Sequence, residues 1–389
     1  MNTQSTPVHI KLWHREFWLL VTANLLLTMS VYMLIPVLPQ WLLLTENFSP
    51  QETGLSLAAF GVGLYLLGSQ CSWLVQRYRR NVVCMWAVFV LVVDLALLWY
   101  IDGLRSEFVE FWIILLHRLV LGAAFGLAQM VLSSTLVIDT CESYQRTEAN
   151  HSAAWFARFA VSLGPLAGLL IYELYGFDKV LWGAIGCALL SVLFIKLVTF
   201  PFRAPEEGVH VASLDRFFLP HGFVLFVNLL PVSMVAGLLM ALPLQPVFYA
   251  LLMAGFMLAL LAQRFVFRDA ELKSETITGL ILMVAALLIL LAYPESPVAP
   301  VLVGLSLGII AARFLLFFIK LSRHCKRGTS QSMYFLGWET GLALGLGLGY
   351  AFLFDNPEAL LYVCICLTAV ALLMYHFYTH AWFIQNKNR

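Results

Sequence analysis

Five charged side chains lie inside long apolar runs of this 389-residue chain. They are Asp94, Arg118, Arg158, Arg313 and Glu339. A charge removed from water is costly unless it is paired or serves a purpose. A buried carboxylate can carry a proton, and a buried guanidinium can hold an anion or a carboxylate partner. These residue types therefore indicate proton transfer and ion binding within an apolar environment.

The composition shows what that environment is. Hydrophobic residues make up 61% of the chain and charged residues 12%, whereas a soluble domain carries about 25% charged residues. The chain is therefore predicted to be an integral membrane protein whose first partner is the lipid bilayer. Its net charge of +1 gives no indication of a nucleic-acid partner.

Sequence signatures of catalysis are missing. There is no Gly-x-x-x-x-Gly-Lys-[Ser/Thr] motif for ATP and no His-Glu-x-x-His motif. The seven Cys lack the Cys-x-x-Cys spacing of a metal site. We therefore expect no enzyme activity, no cofactor and no metal, and an energy supply that comes from ion gradients.

Apolar runs of about 20 residues, the length that spans a bilayer, predict an all-α membrane protein with twelve transmembrane helices. A five-residue segment with two prolines, 242–246, favours a turn between the seventh and eighth. The predicted spans are 17–43, 52–75, 82–101, 109–138, 151–174, 180–200, 217–241, 244–265, 276–293, 298–321, 330–353 and 358–381.

The distribution of basic residues predicts the orientation. With the N-terminus in the cytoplasm, 18 of the 23 Lys and Arg fall in cytoplasmic segments, two in outer loops and three inside spans. The outer loops are acidic instead. This bias predicts that both termini are cytoplasmic, in a multi-pass protein of the bacterial inner membrane.

The chain also repeats itself. Residues 74–78 read LVQRY and residues 261–265 read LAQRF, each at the end of an apolar run. Arg146 opens the fifth span and Arg327 the eleventh; twelve residues later come Arg158 and Glu339. We therefore predict a six-helix bundle over 1–200, a cytoplasmic linker over 201–216 and a second six-helix bundle over 217–389. Such repeats are typical of secondary transporters.

Short motifs support one family. The loop after the second helix keeps Leu74, Arg77 and Arg80 of a Gly-x-Leu-x-Asp-Arg-x-Gly-Arg pattern but lacks both Gly and the Asp, where Gln76 stands. Arg118 and Gly122 match Arg-x-x-x-Gly in the fourth helix, and Gly164, Pro165 and Gly168 match Gly-Pro-x-x-Gly in the fifth. The chain thus resembles the major facilitator superfamily, nearest to its twelve-helix drug:proton antiporter branch.

The resemblance implies conformational roles for these motifs. Gln76, Arg77 and Arg80 would latch the cytoplasmic side of one half against the other, or merely anchor the loop. Gly122, Gly164, Pro165 and Gly168 would shape close helix contacts and a bend along surfaces that rock during transport.

The buried charges have open roles. Arg118 would couple substrate or proton binding to conformational change, or form a structural ion pair. Asp94 lies at the same depth as Arg118. It would be the partner of Arg118, a proton carrier, or a buried polar residue satisfied by hydroxyl or backbone groups. Glu339 is the best proton-carrier candidate, and Arg313 either pairs with it or extends towards the cytoplasm. Arg158, the repeat mate of Glu339, is expected to hold an anion or a carboxylate, or to pair within its own half.

A further set of polar or adaptable residues is predicted to line or border the cavity. They are Asn24, Tyr32, Gln129, Trp155, Asn228, Met234, Tyr334 and Trp338. Such a lining suits a small amphipathic substrate. The predicted function is proton-coupled efflux of a drug or metabolite by alternating access, in a monomer. The alternatives are a proton-coupled importer of a sugar or organic anion, a lysolipid flippase and a membrane sensor that does not transport.

Overall fold

The computed structural model describes residues 11–103, 110–142, 144–200, 208–267, 270–323 and 326–388. Within these ranges the chain is helical, with turns and no strand. Residues 201–207 of the predicted linker lie outside the described residues. So do Arg105, Arg203, Arg268 and Arg389, which contributed to the predicted orientation.

Sixteen α-helices cover most of the described chain. They are α1 (Arg15–Tyr32), α2 (Leu34–Leu44), α3 (Pro50–Leu66), α4 (Cys71–Arg77), α5 (Arg80–Gly103), α6 (Phe111–Val131), α7 (Val137–Asp139), α8 (Arg146–Tyr175), α9 (Phe177–Lys196), α10 (Phe223–Met240), α11 (Pro246–Phe265), α12 (Leu272–Ala292), α13 (Val298–Leu321), α14 (Arg327–Leu348), α15 (Pro357–Met374) and α16 (His380–Asn386). Single π-helical turns join α6 to α7, continue α14 and join α15 to α16.

Ten helical segments in the described ranges are long and apolar enough to cross a membrane, or eleven if α3 and α4, bent by 48°, form one span. The eleventh predicted span, 330–353, is the one left over, and it corresponds to α14 and the π turn after it. α14 is not among the apolar segments because its first turns carry Thr329, Ser330, Gln331 and Ser332. The predicted turn at 242–246 separates α10 from α11.

The first span is broken between α1 and α2. Pro36 has no N–H to donate to the carbonyl of Tyr32, four residues earlier, and Pro39 repeats the defect one turn later. The regular helix is therefore interrupted at Met33, within one apolar segment that runs over Arg15–Leu44. This break matters because Tyr32 and Met33 lie in the interior, with exposed fractions of 1% and 2%.

The two halves use the same packing pattern. In the first half α1 packs on α8 and α9, α3 on α6, and α5 on α6 and α9. In the second half the equivalent helices make the equivalent pairs: α10 on α14 and α15, α11 on α13, and α12 on α13 and α15. Between the halves, α3 packs on α14 and α8 on α11. The helix contacts of the two halves thus follow the same pattern in the described residues.

Paired glycines bring the equivalent helices together in each half. A methyl group on Gly122 of α6 would lie 3.0 Å from the Cα of Gly63 in α3, and one on Gly304 of α13 would lie 3.1 Å from the Cα of Gly255 in α11. Real Cβ atoms seldom approach so closely. Small residues therefore set the helix spacing at matching places in both halves.

The first and last described residues, 11 and 388, lie at the same end of the bundle, which we call the terminal end. His14 contacts the carbonyl of Thr140 through Nε2, and the backbone N–H of Asn388 donates to the carbonyl of Lys320. The side of the membrane on which this end lies remains a prediction from the charge distribution.

The glycine contact generates a stability prediction. Gly122→Ala would force α3 and α6 apart, because the new methyl group meets backbone, and overpacking of this kind costs about 1–3 kcal/mol. We expect a lower melting temperature in detergent than for Gly103→Ala, whose methyl group would meet nothing within 4 Å. Equal melting temperatures for the two variants would show that the contact does not set the spacing.

Candidate functional site

A small enclosed cavity of about 50 Å³ lies between the two halves. Arg158 and Glu339 each stand twelve residues into their helices, about 18 Å along the axis, so the cavity lies near the middle of the bundle. It has room for a few water molecules. Its lining residues are Asn24, Thr28, Tyr32, Gln129, Ser133, Ala154, Ala157, Arg158, Val161, Gln331, Tyr334, Phe335, Trp338 and Glu339.

Helical periodicity brings these residues to one surface. α14 contributes residues 331, 334, 335, 338 and 339, and α8 contributes 154, 157, 158 and 161. Both sets follow the three-and-four spacing of a single helix face. α1 contributes three residues spaced by four, at 24, 28 and 32. The cavity is therefore formed by complete helix faces and not by loops.

Two glycines of α8 fix the first span beside the cavity. A methyl group on Gly164 would lie 3.1 Å from the backbone of Tyr32, and one on Gly168 would lie 3.0 Å from the carbonyl carbon of Met33. α8 thus packs directly on the break between α1 and α2. The Gly-Pro-x-x-Gly segment therefore positions Tyr32, which enters the cavity.

Tyr32 joins the two halves through Glu339. Its hydroxyl donates to Oε1 of Glu339 over 2.7 Å. Glu339 is 3% exposed, and its Oε2 has no hydrogen-bond partner among the described residues. In the described part of the chain this carboxyl group makes no ion pair, so only a tyrosine hydroxyl satisfies it.

Arg158 faces the same cavity, and its hydrogen-bonding groups are also only partly satisfied. Its Nη2 donates to the Tyr334 hydroxyl at 3.4 Å, and its guanidinium lies 4.8 Å from the ring centroid of Trp155. Nε and Nη1 have no hydrogen-bond partner within the described ranges, although Arg158 is only 4% exposed. Since unpaired buried charges are costly, these atoms are suited to a partner that arrives in the cavity.

Amide and hydroxyl groups complete the polar wall. Gln129 donates through Nε2 to the Thr28 hydroxyl over 2.8 Å, and Asn24 donates through Nδ2 to the carbonyl of Ala153 over 3.1 Å. Asn24 Oδ1 has no partner among the residues described. The wall therefore combines acidic, basic, amide and aromatic groups in one small space.

The cavity is closed towards both ends of the bundle. Towards the end opposite the termini, the Ser162 hydroxyl donates to the carbonyl of Tyr249 over 2.5 Å, which joins α8 to α11. At the terminal end, Gly328 of α14 packs on the carbonyl of Ser134 in the turn after α6. Contacts between the halves therefore lie on both sides of the cavity along the bundle.

Comparison with known proteins now identifies the fold. The family model described as Major Facilitator Superfamily matches residues 20–270, more than half of the chain. The chain belongs to the Major Facilitator Superfamily. It is therefore a multi-pass membrane transporter and not an enzyme.

Solved structures of this superfamily share the architecture at low identity. A bacterial homologue of the iron transporter ferroportin, in an outward-facing state, aligns with TM-score 0.64 and 16% identity, covering 94% of this chain and 100% of that one. The human organic anion transporter MFSD10 (TETRAN) aligns with a TM-score of 0.66 and 15% identity, covering 93% of this chain and 99% of that one. The Escherichia coli fucose:proton symporter FucP aligns with a TM-score of 0.61 and 16% identity, covering 93% of this chain and 98% of that one. No curated protein matches the sequence.

The predicted pair between Asp94 and Arg118 does not form in this superfamily member. Asp94 Oδ2 lies 2.8 Å from Nδ1 of His117. Arg118 instead lies over the ring of Phe60, with its guanidinium carbon 4.9 Å from the centroid. Consecutive residues on a helix point about 100° apart, so His117 faces α5 while Arg118 faces α3. Neither charge lines the central cavity, and their role in coupling remains a prediction.

Arg313 does not reach Glu339. Its Nε forms an ion pair with Oε2 of Glu275 in α12. The side chain of Glu275 is 1% exposed and that of Arg313 is 16% exposed. The predicted pair of Arg313 with Glu339 therefore does not form, and Arg313 instead reaches Glu275 near the terminal end of α12, the direction of the alternative prediction. Glu275 lies just before the predicted span 276–293, so the sequence alone does not show that it is buried.

The loop motif after the second span acts within its own half. Arg80 forms an ion pair with Asp139 at the end of α7. Gln76 is half-buried and Arg77 is exposed at the end of α4. The Arg80 contact therefore holds α5 to α7, and the predicted latch across the halves does not use this arginine.

Two predicted cavity residues take other places, and a third borders the cavity. Asn228 donates through Nδ2 to the carbonyl of Ala371 over 3.1 Å, so it joins α10 to α15. The backbone of Met234 packs against Gly345 of α14. Trp155 borders the cavity indirectly, through its contact with Arg158.

Among the polar and aromatic lining residues, four were not predicted from the sequence: Thr28, Ser133, Gln331 and Phe335. Each stands three or four positions from a predicted lining residue on the same helix. Extending the helical spacing from Asn24, Gln129 and Tyr334 would have found them.

A lateral groove lies apart from this site, between α4, α5 and α6. The groove has a volume of about 600 Å³ and is lined by apolar and aromatic side chains such as Leu74, Trp86 and Leu127. It shares no lining residue with the central cavity among those described. It is suited to lipid chains, and the charged cavity remains the better candidate for the transport site.

The Glu275 ion pair generates a prediction. Removing one partner leaves a buried charge uncompensated, which costs about 3–5 kcal/mol, while replacing both partners with apolar residues is far less harmful. We expect Glu275→Leu to lower the melting temperature strongly, and the double variant Glu275→Leu with Arg313→Leu to regain most of it. Additive losses in the double variant would contradict the pair.

Proposed function

We propose that this transporter is a proton-coupled exporter of small amphipathic molecules in the bacterial inner membrane, working by alternating access. One observation carries the proposal. A carboxyl group and a guanidinium group from equivalent positions of the two halves line one cavity between the halves, and neither forms an ion pair among the described residues.

Glu339 is the proposed proton carrier. A carboxylate buried in the middle of the bundle is costly while charged and unpaired, so its protonation when water reaches it from one side, and its release of the proton to the other, would drive the cycle. The Tyr32 hydroxyl donates a hydrogen bond to Oε1. The proton would be taken up at Oε2, the oxygen that has no partner in the described chain.

Arg158 and the aromatic rings are the proposed cargo contacts. Nε and Nη1 of Arg158 provide donors for an acceptor group of the cargo. Phe335 and Trp338 provide apolar surface beside them. This combination favours a molecule with one polar or anionic group on an apolar body.

The cavity must enlarge to hold such a molecule, because it now accommodates only a few waters. Rocking of one half on the other would separate either the Ser162–Tyr249 contact or the Gly328–Ser134 contact. Each contact joins helices of different halves. Opening one while the other stays closed is what alternating access requires.

Export is proposed because Gly164, Pro165 and Gly168 match the fifth-helix pattern of drug:proton antiporters. A second candidate is proton-coupled import of an organic anion. The observation that favours it is the unpaired guanidinium edge of Arg158.

Substitution of the proton carrier tests the mechanism. A panel of amphipathic cations, neutral drugs and carboxylates is added to the purified protein. We expect the protein to release protons when it binds a compound that it transports. Glu339→Gln should abolish the release, because the amide cannot lose a proton. A weakly buffered solution with a pH dye measures the change.

Glu358→Gln is the matched control, since Glu358 is exposed at the start of α15. It should release protons as the unmodified protein does. Cargo binding with unchanged proton release in Glu339→Gln would exclude Glu339 as the carrier.

The direction of transport is tested in membrane vesicles. For an exporter, we expect inverted vesicles with an acidic interior to accumulate cargo as protons leave, and collapse of the gradient to stop accumulation. Accumulation in right-side-out vesicles, driven by protons moving inward, would instead establish the importer.

A further inference from the structure

A second polar cavity, of about 260 Å³, lies at the terminal end of the bundle. We call it the arginine cavity. It is separate from the central cavity and shares no lining residue with it among those described. Its lining residues are Arg80, Ser134, Thr135, Ile138, Asp139, Arg146, Asp215, Arg216, Arg327, Gly328 and Thr329.

The charges in this cavity do not balance. Four arginines face two aspartates. Arg80 pairs with Asp139, and Nε of Arg216 lies 3.7 Å from Oδ2 of Asp215. These two pairs leave two further guanidinium groups, so the cavity carries an excess of about two positive charges.

The two remaining groups are Arg146 and Arg327. Each is only partly exposed, and in each the Nε atom is inaccessible to solvent and has no hydrogen-bond partner among the described residues. They open α8 and α14, equivalent helices of the two halves. Two long helices beginning here add partial positive charge to the same space.

Arg216 ties the cavity to both halves. Its backbone N–H donates to the Thr329 hydroxyl over 2.9 Å, and its Nη1 donates to the Thr135 hydroxyl over 3.2 Å. Its φ of 59° lies in the left-handed region, which is uncommon for a residue with a side chain. Burial, and then the neighbouring charge of Arg80, lower the pKa of Arg216 from its ordinary value.

Residues from α6–α7, α8, α14 and the linker segment before α10 thus converge on one basic space. We propose that the arginine cavity is an anion site that binds a phosphate group, carried by a soluble compound or by a lipid headgroup, and that the bound group holds the terminal end closed. A doubly charged phosphate matches the excess charge, and planar guanidinium groups bind phosphate oxygens in pairs.

The clamping effect follows from the geometry. Arg146 and Thr135 belong to the first half, and Arg327 and Thr329 to the second. Opening the terminal end separates them, so an anion that contacts both halves binds the closed state more tightly. Such a ligand shifts the population towards that state by its difference in affinity.

Binding is tested with the full chain in detergent, with inorganic phosphate as the probe and sodium chloride at matched ionic strength as the reference. We expect phosphate to raise the melting temperature and to slow amide hydrogen exchange in 132–139 and 327–332. Arg146→Gln or Arg327→Gln should weaken the apparent Kd about tenfold, and the double variant should abolish the effect.

The matched control is Arg264→Gln with Arg323→Gln, which removes two exposed positive charges near the same end. It should keep the response to phosphate. Should the double glutamine variant not fold, Arg146→Lys with Arg327→Lys keeps the charge and loses the paired donors, and it should bind phosphate more weakly. An equal response in the arginine-cavity variant and in the control would overturn the site.

Nanodiscs distinguish the two sources of phosphate. If a lipid headgroup is the occupant, phosphatidylglycerol should stabilise the protein relative to phosphatidylcholine alone and remove the response to added phosphate. If a soluble compound is the occupant, the response should persist in both lipids. No response to either probe would overturn the proposal, and phosphate binding without slower exchange would overturn the clamp. Neither result depends on cargo transport or on Glu339.

Discussion

The cost of placing charge away from water constrains this structure more than any other factor. Every charged side chain in the interior has to find a partner, an aromatic face or a wet space. Arg313 finds Glu275, Asp94 finds His117 and Arg118 lies over Phe60. Glu339 contacts the Tyr32 hydroxyl and Arg158 the Trp155 ring, but these two charges differ from the others because they line the central cavity and keep unpartnered atoms there. Their incomplete satisfaction separates a candidate site of transport from structural ion pairs.

The pseudo-repeat explains how such a site can arise from one packing plan. Both halves use the same helix pairs and the same close contacts between small residues. The positions that face the central cavity are free to differ, because they face their counterparts across an interface and not their own half. Arg158 and Glu339 occupy equivalent positions with opposite charge. Symmetry of the backbone thus supports asymmetry of the chemistry.

The hydrogen bond between Tyr32 and Glu339 depends on contacts some distance away from it. Tyr32 stands where the first span breaks, and the break follows from Pro36. Gly164 and Gly168 let α8 approach that break closely. A motif without polar atoms in its side chains therefore determines where a polar group of the other half finds its partner. This connects the close packing of α8 on the first span to the buried carboxyl group.

The terminal end shows a different solution to the problem of charge. Here four arginines line one cavity, and Arg216 donates hydrogen bonds to the hydroxyl groups of Thr135 and Thr329. The contacts cross between the halves, as they do in the central cavity. The state of this end therefore depends on charge as well as on packing.

The sequence by itself determined the membrane class, the helical segments and the repeat. Apolar length and prolines at 243 and 246 are local signals, and the predicted spans agree with the helices to within a few residues in most cases. It also indicated seven of the residues that line the central cavity, among them Arg158, Tyr334 and Glu339, because polar groups at helical spacing in apolar runs are rare.

Only the tertiary structure decided which charges meet. Depth along a helix can be read from the sequence, but the direction in which a side chain points relative to its neighbours cannot. Asp94 and Arg118 lie at a similar depth along their helices. Consecutive residues of a helix point about 100° apart, so His117 and not Arg118 faces Asp94. Glu275 near a helix end reached Arg313 because α12 packs on α13. The arginine cavity likewise exists only where distant chain segments converge.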